Sequence, residues 1–195
     1  MNLKNSNDNY DLITKTLHWL TAFLFLGAYI SVYYRHWFTN VKTPENWSAL
    51  QLHLSFGISI GVFVLLRIIW RLLNTQPSEE PGTPLEHKLA KIGHYVLYAI
   101  MIVTPITGYL GTGVATEFFF LFDITQFPDT WVFTHFIAQG MEVNFIDFEK
   151  PIDFIHKDVL GHWLVWLLIL GHVLAALYHH LVKKDRTLKK MLFNH

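Results

Sequence analysis

Four long apolar segments constrain what this chain can fold into more than any other feature. A helix needs about 20 mainly apolar residues to cross a bilayer. Segments of this kind run over about 12–34, 50–73, 85–110 and 156–182. The composition agrees, because 52% of the residues are hydrophobic and only 15% are charged. The sequence therefore predicts an all-α integral membrane protein, in which residues 1–195 form a single domain built as a four-helix transmembrane bundle.

The basic residues are unevenly divided between the two ends of this bundle. Loops rich in Lys and Arg stay on the cytoplasmic side of a membrane. One end carries Lys4, Lys15, Arg67, Arg71, Lys88, Lys91, Lys183, Lys184, Arg186, Lys189 and Lys190. The other end carries Arg35, Lys42, Lys150 and Lys157, among many acidic residues. We therefore expect both termini, and the connection between the second and third spans, to be cytoplasmic.

The connection between the third and fourth spans, at about 111–155, is too long for a simple turn. It contains "TEFFFLFDITQFPDTWVFTHFIAQGMEVNFIDFEKP", in which aromatic residues alternate with acidic ones. Such a segment is typical of a structured loop at the membrane interface. We expect a long outer loop, partly helical, that packs on the outer face of the bundle.

Twelve histidines stand out in so apolar a chain, which has no cysteine for disulfides, iron–sulfur clusters or thiolate zinc sites. Polar residues within spans usually face the bundle interior and mark a functional path. By depth, His18 and His172 belong to the cytoplasmic half, whereas His53 and His156 belong to the outer half. Two histidines on different helices at one depth can bind one iron from both sides. An apolar porphyrin then fills the space between the helices. This pattern predicts a bundle that encloses two b-type haems.

The spacing of His156 and His172 raises a geometric difficulty. The two residues are sixteen positions apart, which in a regular helix leaves them roughly 160° apart around the axis. Either the helix begins irregularly, with a bulge near 158–161, or another histidine binds the outer iron. The substitutes are His162 and His135. The depth of His156 suits that of His53 better, which favours His156.

Glycines and two further histidines add to this interpretation. Gly57 lies one helical turn after His53, and Gly61 lies one turn further, so a porphyrin could lie close to the backbone. The alternative for both glycines is a face for helix packing. His179 and His180 adjoin the cytoplasmic basic cluster, where they are candidates to contact haem propionates or a quinone head group. The alternative for both is that they anchor the end of the helix.

Four motifs together resemble the bacterial cytochrome b561 family. They are His18–Trp19, "LHLSFGISIGVFVLLRIIWRL", "IGHYVLYAIMIVTPITGYLG" and "GHVLAALYHHLVKKDRTLKKML". The resemblance covers all four spans in their order and stops at the outer loop. It implies a multi-pass cytochrome b of the bacterial inner membrane, with two haems, that exchanges electrons with the ubiquinone pool. One type of member is a superoxide:ubiquinone oxidoreductase.

The resemblance also implies roles for individual residues. The family's axial ligands fall on His18 and His172 for the cytoplasmic haem, and on His53 for the outer haem. The fourth ligand falls on His156 only after two extra residues are allowed before Gly161. His94 matches a family histidine that is not an axial ligand, while Arg67 and Arg71 resemble basic residues near the cytoplasmic haem. The candidate contacts to propionates or quinone are therefore Arg67, Arg71, His94, His179 and His180.

These residues are compatible with three functions. The first is an oxidoreductase that passes electrons to ubiquinone, with superoxide as a donor at the outer face, although the acidic outer loop disfavours attraction of an anion. The second is a haem-bearing membrane anchor for a dehydrogenase or hydrogenase partner. The third, a metal transporter, is disfavoured because the spans contain few carboxylates. Nucleic acid is not an expected partner, because 15 basic residues balance 15 acidic ones.

Overall fold

The computed structural model describes residues 9–193 and consists mainly of four long helices. Helices α1 (Leu12–Phe38), α2 (Pro44–Leu73) and α3 (Pro84–Leu110) are followed by the outer loop and by α4 (Phe145–Lys183). All four are long and apolar enough to cross a membrane, which confirms the predicted membrane bundle. Four crossings would place the start of α1 and the end of α4 on the same side of the membrane. Lys4, assigned above to the cytoplasmic end, lies outside the described residues.

Side-chain caps define where the first three helices begin. The Asp11 side chain accepts a hydrogen bond from the backbone N–H of Thr14 at 2.7 Å. Thr83 and Glu86 form a reciprocal capping box at the start of α3. Such caps satisfy N–H groups that have no partner inside the helix, and each contributes about 1 kcal/mol. Thr43 caps α2, so this helix begins before the apolar segment from which it was predicted.

The fourth helix is irregular along much of its length. It is α-helical at Phe145–Asp153 and Val165–Tyr178, whereas Phe154–Leu164 and His179–Lys183 adopt the wider π-helical geometry. The predicted irregular start of this helix is therefore present, and it extends over more residues than a single bulge.

The outer loop contains a β-hairpin that the sequence analysis did not predict. Strands β1 (Thr116–Phe118) and β2 (Phe122–Ile124) pair antiparallel, and a π-helical turn follows at Val132–Gln139. The hairpin packs on α2, where Gln51 Nε2 donates to the carbonyl oxygen of Ala115 at 3.2 Å and Gln51 Oε1 accepts from the Glu117 N–H at 2.7 Å. The loop is thus structured, partly helical and attached to the bundle, as expected.

The tip of this hairpin has an unusual backbone. Phe119 and Phe120 have φ angles of 46° and 62°, in the left-handed region that bulky residues rarely adopt. The N–H of Phe119 donates to Ser55 Oγ at 2.9 Å, and the Phe119 ring packs edge-on against Phe56. These contacts with α2 hold the tip in a conformation that its own sequence disfavours.

The apolar core joins α1, α2 and α4. Its buried members are Phe25, Ala28, Ile60, Val64, Leu160 and Val165. Many large apolar side chains point outward instead, for example Trp163, which is 76% exposed, and Leu167, which is 68% exposed. In a soluble protein such exposure would promote aggregation, whereas in a bilayer lipid covers these faces.

The C-terminal segment, residues 184–193, folds back across the end of the bundle at which α1 begins. Lys15 Nζ donates to the carbonyl oxygen of Leu192 at 2.8 Å, and Trp19 Nε1 donates to that of Met191 at 2.9 Å. Lys190 is 7% exposed and pairs with Glu80 at 2.5 Å. Because these bonds join α1, the α2–α3 connection and the tail, the segment closes one end of the bundle.

Candidate functional site

The four histidines predicted as haem ligands come together as two pairs. The ring centres of His53 and His156 are 6.3 Å apart, and those of His18 and His172 are 6.1 Å apart. A metal–imidazole bond is about 2 Å long and the bonding nitrogen lies about 1.1 Å from the ring centre, so two imidazoles on opposite sides of one iron have centres about 6.2 Å apart. Both pairs therefore have the spacing that one iron between them requires.

In the outer pair, backbone groups orient both rings. His53 Nδ1 lies 2.9 Å from the carbonyl oxygen of Ala28, and His156 Nδ1 lies 3.0 Å from that of Thr104. A carbonyl oxygen can only accept, so each Nδ1 carries the proton and each Nε2 keeps its lone pair. Metal-binding histidines are normally held in this way, through a hydrogen bond from the second ring nitrogen.

The π-helical part of α4 resolves the spacing difficulty. A π-helix turns by only about 82° per residue. Eight of the sixteen steps from His156 to His172 lie within Phe154–Leu164, so the total rotation falls within roughly 15° of a whole number of turns. Both histidines therefore face the interior of the bundle.

The two alternative outer ligands lie elsewhere. The side chain of His162 is 62% exposed and lies 3.8 Å from Asp158. The ring of His135 stacks on Trp131 in the outer loop. Among the described residues, neither ring contacts His53, whereas His156 does.

Two glycines set the space around the outer pair. A Cβ atom added to Gly108 would lie 2.9 Å from Cε1 of His156. Only glycine at position 108 therefore leaves enough space for the His156 ring. A Cβ added to Gly57 would meet nothing within 4 Å, which leaves room for a flat group beside the helix. Gly61 instead faces Pro105, at 3.6 Å from its Cβ, as the helix-packing alternative expects.

Several residues that shape the outer pair were not among those predicted from the sequence. Besides Gly108, these are Thr104, whose carbonyl oxygen orients His156, and Thr107, whose hydroxyl lies 3.2 Å from His156 Nδ1. The motif "TPITGY" contains all three, with Pro105 between the threonines. A proline and a glycine within one apolar span are a visible signal of close approach, but they do not indicate which side chain approaches.

A third histidine lies beside the pair of His18 and His172. The ring centre of His94 lies 6.0 Å from that of His172, about as close as that of His18. His94 Nδ1 lies 2.7 Å from the carbonyl oxygen of Ala90. His18 Nδ1 instead lies 3.2 Å from a guanidinium nitrogen of Arg67. Three imidazoles from α1, α3 and α4 thus meet at one level of the bundle.

The two predicted arginines flank this cluster. The guanidinium carbons of Arg67 and Arg71 lie 5.4 and 5.9 Å from the ring centre of Tyr98. Arg71 also donates to Gln76 Oε1 at 2.8 Å. Within residues 9–193, no carboxylate forms an ion pair with Arg67. A guanidinium away from water is costly unless an anion accompanies it, so the cluster is suited to an anionic group.

The last two predicted residues lie where α4 meets the C-terminal segment. His179 Nδ1 lies 2.5 Å from Asp185 Oδ2, a contact between α4 and the C-terminal segment that agrees with the anchoring alternative. His180 Nδ1 is buried and has no hydrogen-bond partner in the described part of the chain. Buried polar atoms nearly always have a partner, so His180 remains a candidate to contact a bound group.

Comparison with known proteins gives a consistent result over the whole chain. A family model described as "Prokaryotic cytochrome b561" matches residues 9–194. The chain is 28% identical to "Cytochrome b561 homolog 2" of Escherichia coli (strain K12), over 98% of this chain and 95% of that protein. It is also 28% identical to "Probable superoxide oxidase CybB" of Yersinia pestis, over 94% of this chain and 95% of that protein. A third relative, "Cytochrome b561 homolog 1" of Escherichia coli (strain K12), is 26% identical over 90% of this chain and 92% of that protein.

Proposed function

The chain belongs to the prokaryotic cytochrome b561 family, and on that premise we propose that it carries electrons across the membrane between two b-type haems, each held by two histidines. Membrane electron transfer is the function that the family implies. The observation that carries the finer proposal is the spacing of the two histidine pairs, 6.3 and 6.1 Å between ring centres. Both values match two imidazoles on one iron.

The residues of each pair would bind and orient a haem. We assign His53 and His156 to the outer haem, and His18 and His172 to the cytoplasmic haem. When bound, haem supplies a reversible one-electron carrier at its iron. With two histidines holding each iron, no position on the iron would remain open to oxygen, which would favour electron transfer. Gly57 supports the outer assignment, because its open side leaves room for the porphyrin.

The two sites are stacked along the bundle axis. On α1, His18 belongs to the cytoplasmic pair, and the carbonyl oxygen of Ala28 orients His53 of the outer pair. Ten residues of helix separate these positions, which corresponds to about 15 Å along the axis. This arrangement supports a path that carries an electron through the apolar part of the membrane in one step between haems.

We propose that Arg67 and Arg71 hold the propionates of the cytoplasmic haem, and that ubiquinone is bound close to His94, His179 or His180. The lack of a carboxylate ion pair for Arg67 within the described residues supports an anion at this position. His180 supports a polar ligand nearby, through its buried Nδ1 atom that has no partner there. The haem propionates are carboxylates, and a quinone head group offers two carbonyl oxygens. The propionates and the quinone therefore both offer acceptor oxygens to the N–H donors of these arginines and histidines.

A relative named as a probable superoxide oxidase supports superoxide as a donor at the outer face. The charges there are mostly balanced, because Lys150 pairs with Asp147 at 2.9 Å and Lys157 pairs with Asp153 at 2.5 Å. Arg35 differs, since its Nε donates to the neutral side-chain oxygen of Asn46 and its charge can attract an anion. We propose Arg35 as the residue that attracts superoxide.

The haem assignment is tested by counting haem in purified protein. Wild type should contain about two b-type haems per chain, and His156→Ala should contain about one. His162→Ala is the matched control, because it removes an exposed histidine of the same helix, and it should keep both. The count comes from dithionite-reduced minus oxidised spectra with quantified haem. Wild type without haem, from haem-replete cells, would overturn the proposal.

The electron donor and the orientation need separate tests. Superoxide generated outside sealed vesicles should reduce ubiquinone in wild type and more slowly in Arg35→Gln. A dehydrogenase or hydrogenase partner that co-purifies, without superoxide activity, would favour the anchor-subunit alternative. We also propose that the protein lies in the inner membrane with both termini cytoplasmic. Since the chain has no cysteine, single cysteines introduced near Arg35 and near Lys184 can be labelled from one side to test this.

A further inference from the structure

We propose that His94 is a second axial-ligand candidate for the cytoplasmic iron, so that His172 can share this iron with either His18 or His94. The inference rests on the proposed haem function and concerns which side chains compete for one coordination position. The juxtaposition that carries it is the meeting of three imidazoles around His172.

Distance does not separate the two competitors. The ring centre of His172 is 6.1 Å from that of His18 and 6.0 Å from that of His94. Both values are close to the separation of about 6.2 Å for two imidazoles on one iron. The interplanar angles are 53° with His18 and 81° with His94, and both are compatible with ligation, since the rings can rotate about the iron–nitrogen bond.

Hydrogen bonding does separate them. His94 Nδ1 lies 2.7 Å from the carbonyl oxygen of Ala90, which only accepts, so this ring carries its proton on Nδ1 and has a free lone pair on Nε2. His53 and His156 of the outer pair are held in the same way. His94 therefore already has the tautomer that a metal ligand needs.

His18 has the opposite arrangement. Its Nδ1 lies 3.2 Å from a guanidinium nitrogen of Arg67, and a guanidinium only donates, so Nδ1 accepts and a neutral ring carries its proton on Nε2. For His18 to bind iron through Nε2, this contact must break and the proton must move to Nδ1. Ligation by His18 therefore requires Arg67 to move away, for example toward a propionate, whereas ligation by His94 requires no change of hydrogen bonding.

The test compares haem content and spin state in the full-length protein. The variants are His18→Ala, His18→Asn, His94→Ala and His18→Ala/His94→Ala, with His53→Ala as the matched control. With His94 as a substitute, both His18 single variants should keep about two haems per chain, both six-coordinate and low-spin by absorption and electron paramagnetic resonance spectra. The double variant should fall to about one. His53→Ala should do the same, because within the described residues no third histidine ring contacts the outer pair.

Three results would overturn the inference. One is that both His18 variants lose the second haem, or that this haem becomes five-coordinate and high-spin in them. Another is a double variant that keeps two low-spin haems, because the ligand would then come from elsewhere. A third is a His94→Ala protein that loses one haem while both His18 variants keep two, because His18 and His94 would then not be interchangeable. The proposed function fails separately, if wild type itself lacks two haems.

Discussion

Replacing Gly108 by alanine should damage the outer haem site and spare the cytoplasmic one. The added Cβ atom would lie 2.9 Å from Cε1 of His156, and 3.4 Å from its Nδ1 and Nε2. Carbon atoms in contact are normally at least about 3.5 Å apart, so the ring must retreat by roughly 0.6 Å. The positions of metal ligands tolerate deviations of only about 0.2 Å.

The His156 ring cannot move away from Gly108 without cost, because two other groups of α3 also hold it. His156 Nδ1 is bonded to the carbonyl oxygen of Thr104 and lies close to the hydroxyl of Thr107. Overpacking of this kind costs about 1–3 kcal/mol, which corresponds to roughly 5- to 150-fold weaker binding of the outer haem.

The assay is a haem titration of purified protein, followed by reduced-minus-oxidised spectra and a redox titration. Gly108→Ala should lose the outer haem, or keep it with an altered potential, while the cytoplasmic haem is unchanged. Gly61→Ala is the matched control, because its Cβ would meet Pro105 at an ordinary 3.6 Å, and it should bind both haems normally. A Gly108→Ala protein with two haems and unchanged potentials would refute the placement of His156.

Three further changes test other parts of the structure. Gly57→Leu should fill the open space beside the outer pair, so the haem content should fall toward one per chain. The thermal stability of the haem-free protein should not decrease. A normal haem content would show that the porphyrin lies elsewhere. Ser55→Ala leaves the Phe119 N–H without its partner, which should destabilise the hairpin by about 1–3 kcal/mol. Amide hydrogen exchange in 116–124 should become faster, and the haem content should not change. Unaltered exchange would mean that this bond does not hold the hairpin. The hydrogen bond from Lys190 lowers the pKa of Glu80 below its usual 4.5. The pair therefore stabilises the folded state fully at pH values above 4.5. This stabilisation is lost as the pH falls through the lowered pKa. The melting temperature of wild type should therefore drop more than that of Glu80→Gln on acidification below about pH 5, and parallel curves would count against the pair.

Much of the fold follows from the sequence alone. A bilayer imposes a length and an apolar composition on every span, and these are properties of consecutive residues. The same holds for the start of α3, where Thr83 and Glu86 form a capping box within one turn. The depth of each histidine also follows from its position along a span, and for this reason the two pairs could be predicted before the helices were placed.

The tertiary structure decided what depends on contacts between distant segments. The interior position of His156 needs the π-helical part of α4 and the glycine at 108, which is 48 positions earlier in the sequence. The hairpin tip at Phe119 is held against Ser55, 64 residues away. No local pattern predicts either feature, and the backbone angles of the tip oppose local preference.

The sequence by itself thus determined four spans, their order and the depths at which a metal could be bound. Only the tertiary structure decided which ring faces which, because ring orientation depends on one backbone oxygen on a neighbouring helix, such as that of Ala28 for His53. The bilayer acts on each segment separately, so its demands are written locally in the sequence. A cofactor site joins several helices, and its geometry is set by their packing.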